Sequence, residues 1–125
     1  VQAKEELDHA MGFFQYLVEV NQKIDLQPVP KPMVNFSSPL EMAKASLKHE
    51  QHITDRIHFL YELANKEKDY SFASFIKWYI DEQREEEANT TLLVEKYKMV
   101  EANKLALLIL DQELGTRKYT PVSPK

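Results

Sequence analysis

The stretch WYIDEQREEE, residues 78–87, decides how the rest of this chain is interpreted. Helical spacing places Glu82 next to both Glu85 and Glu86, and each such pair of like charges costs about 0.2–0.5 kcal/mol. A seven-residue periodicity through the stretch also puts Gln83 and Glu86 on the face that carries apolar residues elsewhere. A solvated acidic face is the alternative. Because a buried carboxylate needs a partner, the pattern predicts a hard cation bound inside a helical bundle.

Length and composition narrow the class of protein. The chain has 125 residues, 43% of them hydrophobic and 29% charged, which is typical of one globular domain. There are only 2 glycines, and the 6 prolines lie within 28–39 and 121–124, so the long segments between them predict an all-α fold. The net charge of −4 argues against a nucleic-acid partner. The chain has 0 cysteines and no apolar run of about 20 residues, so neither a thiolate site nor a membrane span is predicted.

Apolar periodicity predicts three long helices and one short helix. Their ranges are about 1–24, 39–66, 70–101 and 105–114. The linker 25–39 is rich in proline and long enough to run the full length of a bundle, which makes its flanking helices parallel. This is the one-crossover topology of ferritin-like four-helix bundles.

Apolar side chains in the linker predict that it packs against other parts of the protein rather than remaining disordered. These residues are Val29, Met33, Val34 and Phe36. The short last helix is apolar nearly all round, and Gly115 is expected to end it. Such a helix is expected to be buried, either in its own domain or against other subunits.

Possible metal ligands occur on three of the predicted helices. Glu6 and His9, three residues apart, share the inner face of the first helix. Glu50 interrupts the apolar stripe of the second, and Gln83 and Glu86 interrupt that of the third. Several glutamates with one histidine favour iron or manganese over structural zinc.

Two further histidines flank Glu50 in the sequence. His49 and His52 do not share its helix face and are predicted to lie at the surface.

Three segments resemble the motifs of bacterial and archaeal non-haem ferritins. They are QAKEELDHA at 2–10, KHE at 48–50, and FIKWY with DEQREEE at 75–79 and 81–87. The resemblance extends from residue 1 to about 119. It implies a cytoplasmic ferroxidase that oxidises Fe²⁺ with dioxygen or peroxide and stores ferric mineral inside a 24-subunit shell. The last helix resembles the short fifth helix that lines the four-fold axes of that shell.

The resemblance also implies roles for individual residues. The dinuclear iron centre corresponds to Glu6, His9, Glu50, Gln83 and Glu86, with Glu50 bridging the two irons. A neighbouring third iron site corresponds to Glu5, Glu82 and Glu85 and shares Glu86. Trp78 corresponds to an aromatic residue beside the centre. Bacterioferritins have a second Glu-x-x-His where this chain has Gln83-x-x-Glu86, and Leu7 stands in place of their haem-binding methionine, so no haem is expected.

Two other functions stay open at this point. One is a smaller di-iron carboxylate oxidase or a rubrerythrin-like peroxidase, which a separate fifth helix and the lack of cysteine pairs disfavour. The other is a metal-free helical scaffold whose acidic run is simply solvated.

The domain is expected to comprise residues 1–119, followed by a mobile tail at 120–125. The first helix opens at Val1 without a capping residue, and its ligand pair lies within nine residues of that point. The resembled family has a further helix upstream that brings a glutamate ligand and a tyrosine. We therefore expect that the sequence lacks this N-terminal helix and the start of the next.

Overall fold

The computed structural model describes residues 1–124, and every regular element in that range is a helix. The helices are α1 (Gln2–Glu19), α2 (Pro39–Glu67), α3 (Tyr70–Val100) and α4 (Lys104–Gly115). The all-α prediction is confirmed. The predicted tail, 120–125, includes Lys125, which lies outside the described residues.

The chain forms two compact units. The first comprises Val1–Val34 together with the segment from Glu113 onward, and the second comprises Asn35–Gln112. α1 belongs to the first unit, whereas α2 and α3 pack against each other in the second.

Side-chain hydrogen bonds cap the N-termini of α2 and α3. Ser38 Oγ accepts a hydrogen bond from the backbone N–H of Glu41 at 3.2 Å, as the sequence predicts for the start of α2. α2 ends at Glu67, and the next residue, Lys68, has a left-handed φ of 58°. Asp69 then accepts from the N–H of Phe72 at 3.0 Å at the start of α3. So short a connection reverses the chain direction, which makes α3 antiparallel to α2.

The buried face of α3 follows the predicted seven-residue repeat closely. That repeat puts the following residues on one face: Ile76, Tyr79, Gln83, Glu86, Thr90, Leu93 and Tyr97. The buried residues of α3 are Ala73, Ile76, Tyr79, Gln83, Glu86, Thr90, Val94 and Tyr97. Two residues differ from the repeat: Val94 is buried in place of Leu93, and Ala73 is buried one turn before Ile76. A straight helix has 3.6 residues per turn, so its buried stripe drifts away from a strict 3.5-residue repeat.

The stripe predicted for α2 consists of Leu40, Ala43, Leu47, Glu50, Ile53 or Thr54, Ile57, Leu60 and Ala64. The buried face follows it, although Leu47 and Leu60 are only half-buried. Its buried residues are Leu40, Ala43, Glu50, Ile57 and Ala64. Glu50 is therefore a buried carboxylate in a row of otherwise apolar side chains, as predicted.

α1 differs from its prediction in two respects. It ends at Glu19, five residues earlier than the predicted range of 1–24 allows, and Asn21 then adopts a left-handed φ of 54°. Asparagine tolerates that conformation better than most residues, and it ends the helix. No residue of α1 is buried, although its half-buried positions include His9, Phe13 and Tyr16 of the predicted inner stripe.

The linker does not pack as predicted. Val29, Met33, Val34 and Phe36 are all exposed, as is Leu26. Residues 23–36, which include three of the prolines, form neither a helix nor a strand.

α4 leaves most of its apolar surface in solvent. Leu110 is buried, but Leu105 is 66% exposed, Leu108 53% and Ile109 57%. The three exposed residues lie on one face because their spacing is i, i+3 and i+4. The sequence predicted that α4 is buried either in its own domain or against other subunits. Burial in its own domain is wrong, because these three side chains are exposed.

Among residues 1–124, no helix is both long enough and apolar enough to cross a membrane.

Candidate metal centre

We call Glu50, Gln83 and Glu86 the buried half-site, because all three residues are buried, Glu50 on α2 and the other two on α3. The Nε2 of Gln83 donates to the backbone oxygen of Glu50 at 3.2 Å and to its Oε2 at 3.3 Å. The amide group is thereby oriented by the neighbouring helix. Since an amide nitrogen donates and does not coordinate metals, Oε1 is the atom that Gln83 offers to a cation.

A threonine and a further glutamate extend this network. Thr54 Oγ1 accepts from Gln83 Nε2 at 3.4 Å and donates to Glu87 Oε1 at 2.5 Å. Sequence reasoning gave neither residue a role in the site. The available signal was spacing, because Thr54 follows Glu50 by one helical turn and Glu87 follows Gln83 by one turn.

Thr90 is also polar and buried in the seam of α3, one turn after Glu86. Its hydroxyl donates to the backbone oxygen of Glu86 at 2.7 Å. This bond satisfies the threonine within its own helix, so the Glu86 carboxylate is not needed as its acceptor.

We call Glu6 and His9 the α1 half-site. His9 Nδ1 lies 3.4 Å from Glu6 Oε2, and Gln2 Nε2 donates to Glu6 Oε1 at 3.0 Å. The predicted i, i+3 pairing is present. However, the Glu6 side chain is 50% exposed, whereas that of His9 is only 12% exposed. The expectation that both residues lie on an inner face is therefore met by His9 and not by Glu6.

The first two turns of α1 also contact the segment that follows α4, which sequence reasoning missed. Arg117 Nη2 lies 3.4 Å from Glu5 Oε2. Asp8 Oδ2 accepts from the hydroxyl of Tyr119 at 2.6 Å and from the backbone N–H of Val122 at 3.1 Å. Both hydrogen bonds lower the pKa of Asp8, and the bond from Tyr119 has the larger effect. The same bond raises the pKa of Tyr119.

The remaining predicted site residues, Trp78, Glu82 and Glu85, lie on α3. Glu82 is half-buried and Glu85 is exposed. Trp78 is half-buried and contacts Tyr79 edge to face, with ring centroids 4.8 Å apart.

His49 and His52 are both exposed, which confirms their prediction as surface residues.

The donor set defines the chemistry that these residues can support. It consists of carboxylates, one imidazole and one amide oxygen, in a chain with 0 cysteines. Such oxygen-rich sets bind hard or borderline cations such as iron and manganese in preference to soft ones.

Comparison with protein families agrees with this chemistry. Residues 1–100 match the family model for the ferritin-like domain. The bacterial non-heme ferritin of Staphylococcus aureus is 37% identical over 118 residues, which cover 94% of this chain and 71% of the relative. That of Campylobacter jejuni is 40% identical over 110 residues, covering 88% of this chain and 66% of the relative.

Solved structures show the same relationship. A humanized archaeal ferritin aligns with a TM-score of 0.94 at 44% identity, covering 97% of this chain and 73% of that one. The open-pore ferritin of Archaeoglobus fulgidus aligns with a TM-score of 0.92 at 41% identity, covering 94% and 72%.

A match over most of the chain, in sequence and in structure, places it with the iron-storing helical proteins. The chain belongs to the ferritin family. Its function is iron storage, and the resemblance inferred from the three sequence motifs is confirmed.

Proposed function

We propose that this chain is a ferroxidase subunit that oxidises Fe²⁺ and stores the product as ferric mineral. Two Fe²⁺ ions each lose one electron, and dioxygen takes up both electrons and two protons to form hydrogen peroxide. When peroxide is the oxidant, the same two electrons and two protons convert it to two water molecules. The resemblance to non-haem ferritins supports placing this activity in the cytoplasm.

The observation that carries the proposal is the hydrogen bond between Gln83 and Glu50. It holds an amide and a carboxylate together in the protein core, where a charge without a function is costly. The proposed ligands of the two irons are Glu6, His9, Glu50, Gln83 and Glu86. The resemblance to non-haem ferritins assigns the bridging role to Glu50, and the two oxygens of a carboxylate allow it to contact both ions.

A third iron is proposed to bind at carboxylates beside this centre. Its ligands are Glu5, Glu82 and Glu85, and it shares Glu86 with the dinuclear centre. Glu82 is half-buried and Glu85 exposed, so their carboxylates are accessible to incoming Fe²⁺.

Replacing Glu50 with alanine tests the ferroxidase assignment. We expect Glu50→Ala to abolish the fast phase of Fe²⁺ oxidation, because the bridging oxygens are removed while the helices stay intact. Stopped-flow absorbance after addition of Fe²⁺ in air, with circular dichroism for the fold, measures both. His49→Ala is the matched control, since His49 is the exposed neighbour on the same helix. An oxidation rate in Glu50→Ala equal to that of the control would refute the proposed centre.

The exposed face of α4 supports assembly into the 24-subunit shell. Burying a large aliphatic side chain contributes about 1.5–3 kcal/mol, and three such side chains are exposed on one face of this helix. They are Leu105, Leu108 and Ile109. A patch of this kind is typical of a protein–protein contact.

Introducing charged residues on this face of α4 tests whether the helix holds the subunits together. The double variant Leu105→Arg/Ile109→Arg should yield particles much smaller than the wild-type ones, with unchanged helix content. The double variant Leu105→Met/Ile109→Met keeps the surface apolar and should assemble normally. Light scattering and native mass spectrometry report the particle size. Full-sized particles from the arginine variant would mean that α4 does not hold the shell together.

A further inference from the structure

The segment that follows α4 is fastened to α1 by several different contacts. We call residues 117–122 the strap. Its Arg117 guanidinium lies 3.4 Å from the carboxylate of Glu5. Two more of its groups, the Tyr119 hydroxyl and the Val122 N–H, share one oxygen of Asp8 at 2.6 and 3.1 Å.

A fourth contact involves the aromatic ring of the strap. Lys4 Nζ lies 5.2 Å from the centroid of the Tyr119 ring, within range of a cation–π interaction. The partners on α1 are thus residues 4, 5 and 8, which occupy one side of its first two turns. The strap therefore binds a defined surface through a cation, a ring, a hydroxyl and a backbone donor.

The two carboxylates in this surface are held in different ways. Asp8 accepts uncharged donors, an O–H and an N–H, so the strap stays attached there without any charge on the strap itself. Glu5 is paired with a positive charge, and only 17% of its side chain is exposed. A metal cation that binds Glu5 competes with the guanidinium, because both are attracted to the same carboxylate and the two positive charges repel each other.

We propose that Arg117 sets the cation affinity of Glu5 by competing for its carboxylate, while Asp8 and Tyr119 keep the strap in place. This inference rests on the proposed function, in which Glu5 is a ligand of the third iron. Without a metal, the guanidinium neutralises Glu5. When a cation binds, Arg117 is displaced into solvent, which is a short movement because its side chain is already 47% exposed. The pair is partly solvated, so the exchange is reversible.

If Arg117 competes for Glu5, removing the guanidinium should strengthen cation binding at Glu5. In Arg117→Gln, the affinity of the protein for Mn²⁺ at the Glu5-dependent site should rise about two- to five-fold, as expected for loss of a partly exposed ion pair. Mn²⁺ is the probe because it binds oxygen ligands and is not oxidised during the titration. Electron paramagnetic resonance of free Mn²⁺ gives the bound fraction. This readout does not depend on iron oxidation.

Three further variants separate competition from general charge effects. Lys118→Gln removes the same charge from the next residue and should bind Mn²⁺ as the wild type does. Arg117→Lys keeps a cation opposite Glu5 and should stay close to the wild type. In a Glu5→Gln background, Arg117→Gln should have no further effect, because the site of competition is gone.

The possible failures of this proposal and of the proposed function are distinguishable. If Glu5→Gln weakens Mn²⁺ binding but Arg117→Gln matches Lys118→Gln, the strap proposal is overturned and the third iron site stands. If Glu5→Gln leaves Mn²⁺ binding unchanged, Glu5 is not a cation ligand, and the strap and the third site are both rejected. The dinuclear centre is judged separately by the loss of fast oxidation in Glu50→Ala.

Discussion

The buried half-site and the α1 half-site carry similar chemical groups in contrasting surroundings. In the buried half-site, Glu50 and Gln83 lie in the core and the amide is held by the opposite helix. In the α1 half-site, Glu6 is half exposed and contacts Gln2 and His9 of its own helix.

The contrast shows two ways of presenting metal ligands. Burial restricts a side chain to few conformations and excludes water, so the buried ligands are preorganised before a cation arrives. In the α1 half-site, the i, i+3 contact contributes only a few tenths of a kcal/mol, and the half-exposed Glu6 side chain keeps more conformational freedom. We therefore expect the buried half-site to determine affinity and the α1 half-site to adjust to the bound ion.

The largest expected effect compares the same substitution in the two half-sites. Glu50→Gln should lower Fe²⁺ affinity by roughly 100-fold, since even residues that only support a ligand contribute about 10–100-fold. Glu6→Gln should lower it by roughly ten-fold, because water can replace an exposed carboxylate. Anaerobic calorimetric titration with Fe²⁺ measures both. Equal losses, or a larger loss in Glu6→Gln, would show that burial does not rank these ligands.

A smaller effect is expected when Thr54, which forms hydrogen bonds with Gln83 and Glu87, is replaced. Thr54→Val keeps the shape of the side chain but removes the acceptor for Gln83 and the donor for Glu87. The free energy of unfolding should fall by about 1 kcal/mol, and Fe²⁺ affinity by about ten-fold or less. Urea denaturation and the same titration measure the two changes.

The control for Thr54 is a threonine outside the network. Thr91→Val makes the same chemical change at an exposed position of α3. It should leave both quantities near the wild-type values. If Thr54→Val behaves like Thr91→Val, the hydrogen bonds of Thr54 do not support the site.

The smallest effect concerns Asp8, which lies on α1 next to His9 of the α1 half-site and raises the pKa of Tyr119 in the strap. A raised pKa means that the folded state favours the protonated hydroxyl. The stabilising bond is therefore complete below the usual pKa of tyrosine and is lost as the pH rises through the raised value. The difference in absorbance at 295 nm between wild type and Tyr119→Phe should titrate at higher pH in the folded protein than in urea. Coincident curves in the two conditions would show that the bond to Asp8 is absent in solution.

The sequence alone determined the helical frame and the buried half-site. Ser38 and Asp69 cap α2 and α3 by local chemistry, and the 3.6-residue period then fixes which side chains face inward. This is why the spacing of Glu50, Gln83 and Glu86 is enough to predict them as buried polar residues. The ferritin motifs are recognisable for the same reason, because each lies within a few turns of one helix.

Only the tertiary structure decided which side chains meet across the sequence. The Gln83–Thr54 and Tyr119–Asp8 hydrogen bonds join residues 29 and 111 positions apart, and no local pattern specifies such pairs. The end of α1 and the exposure of the linker were also predicted incorrectly, because periodicity reports which residues could be buried and not whether a partner covers them. Packing of distant segments sets these features, and it depends on the whole chain at once.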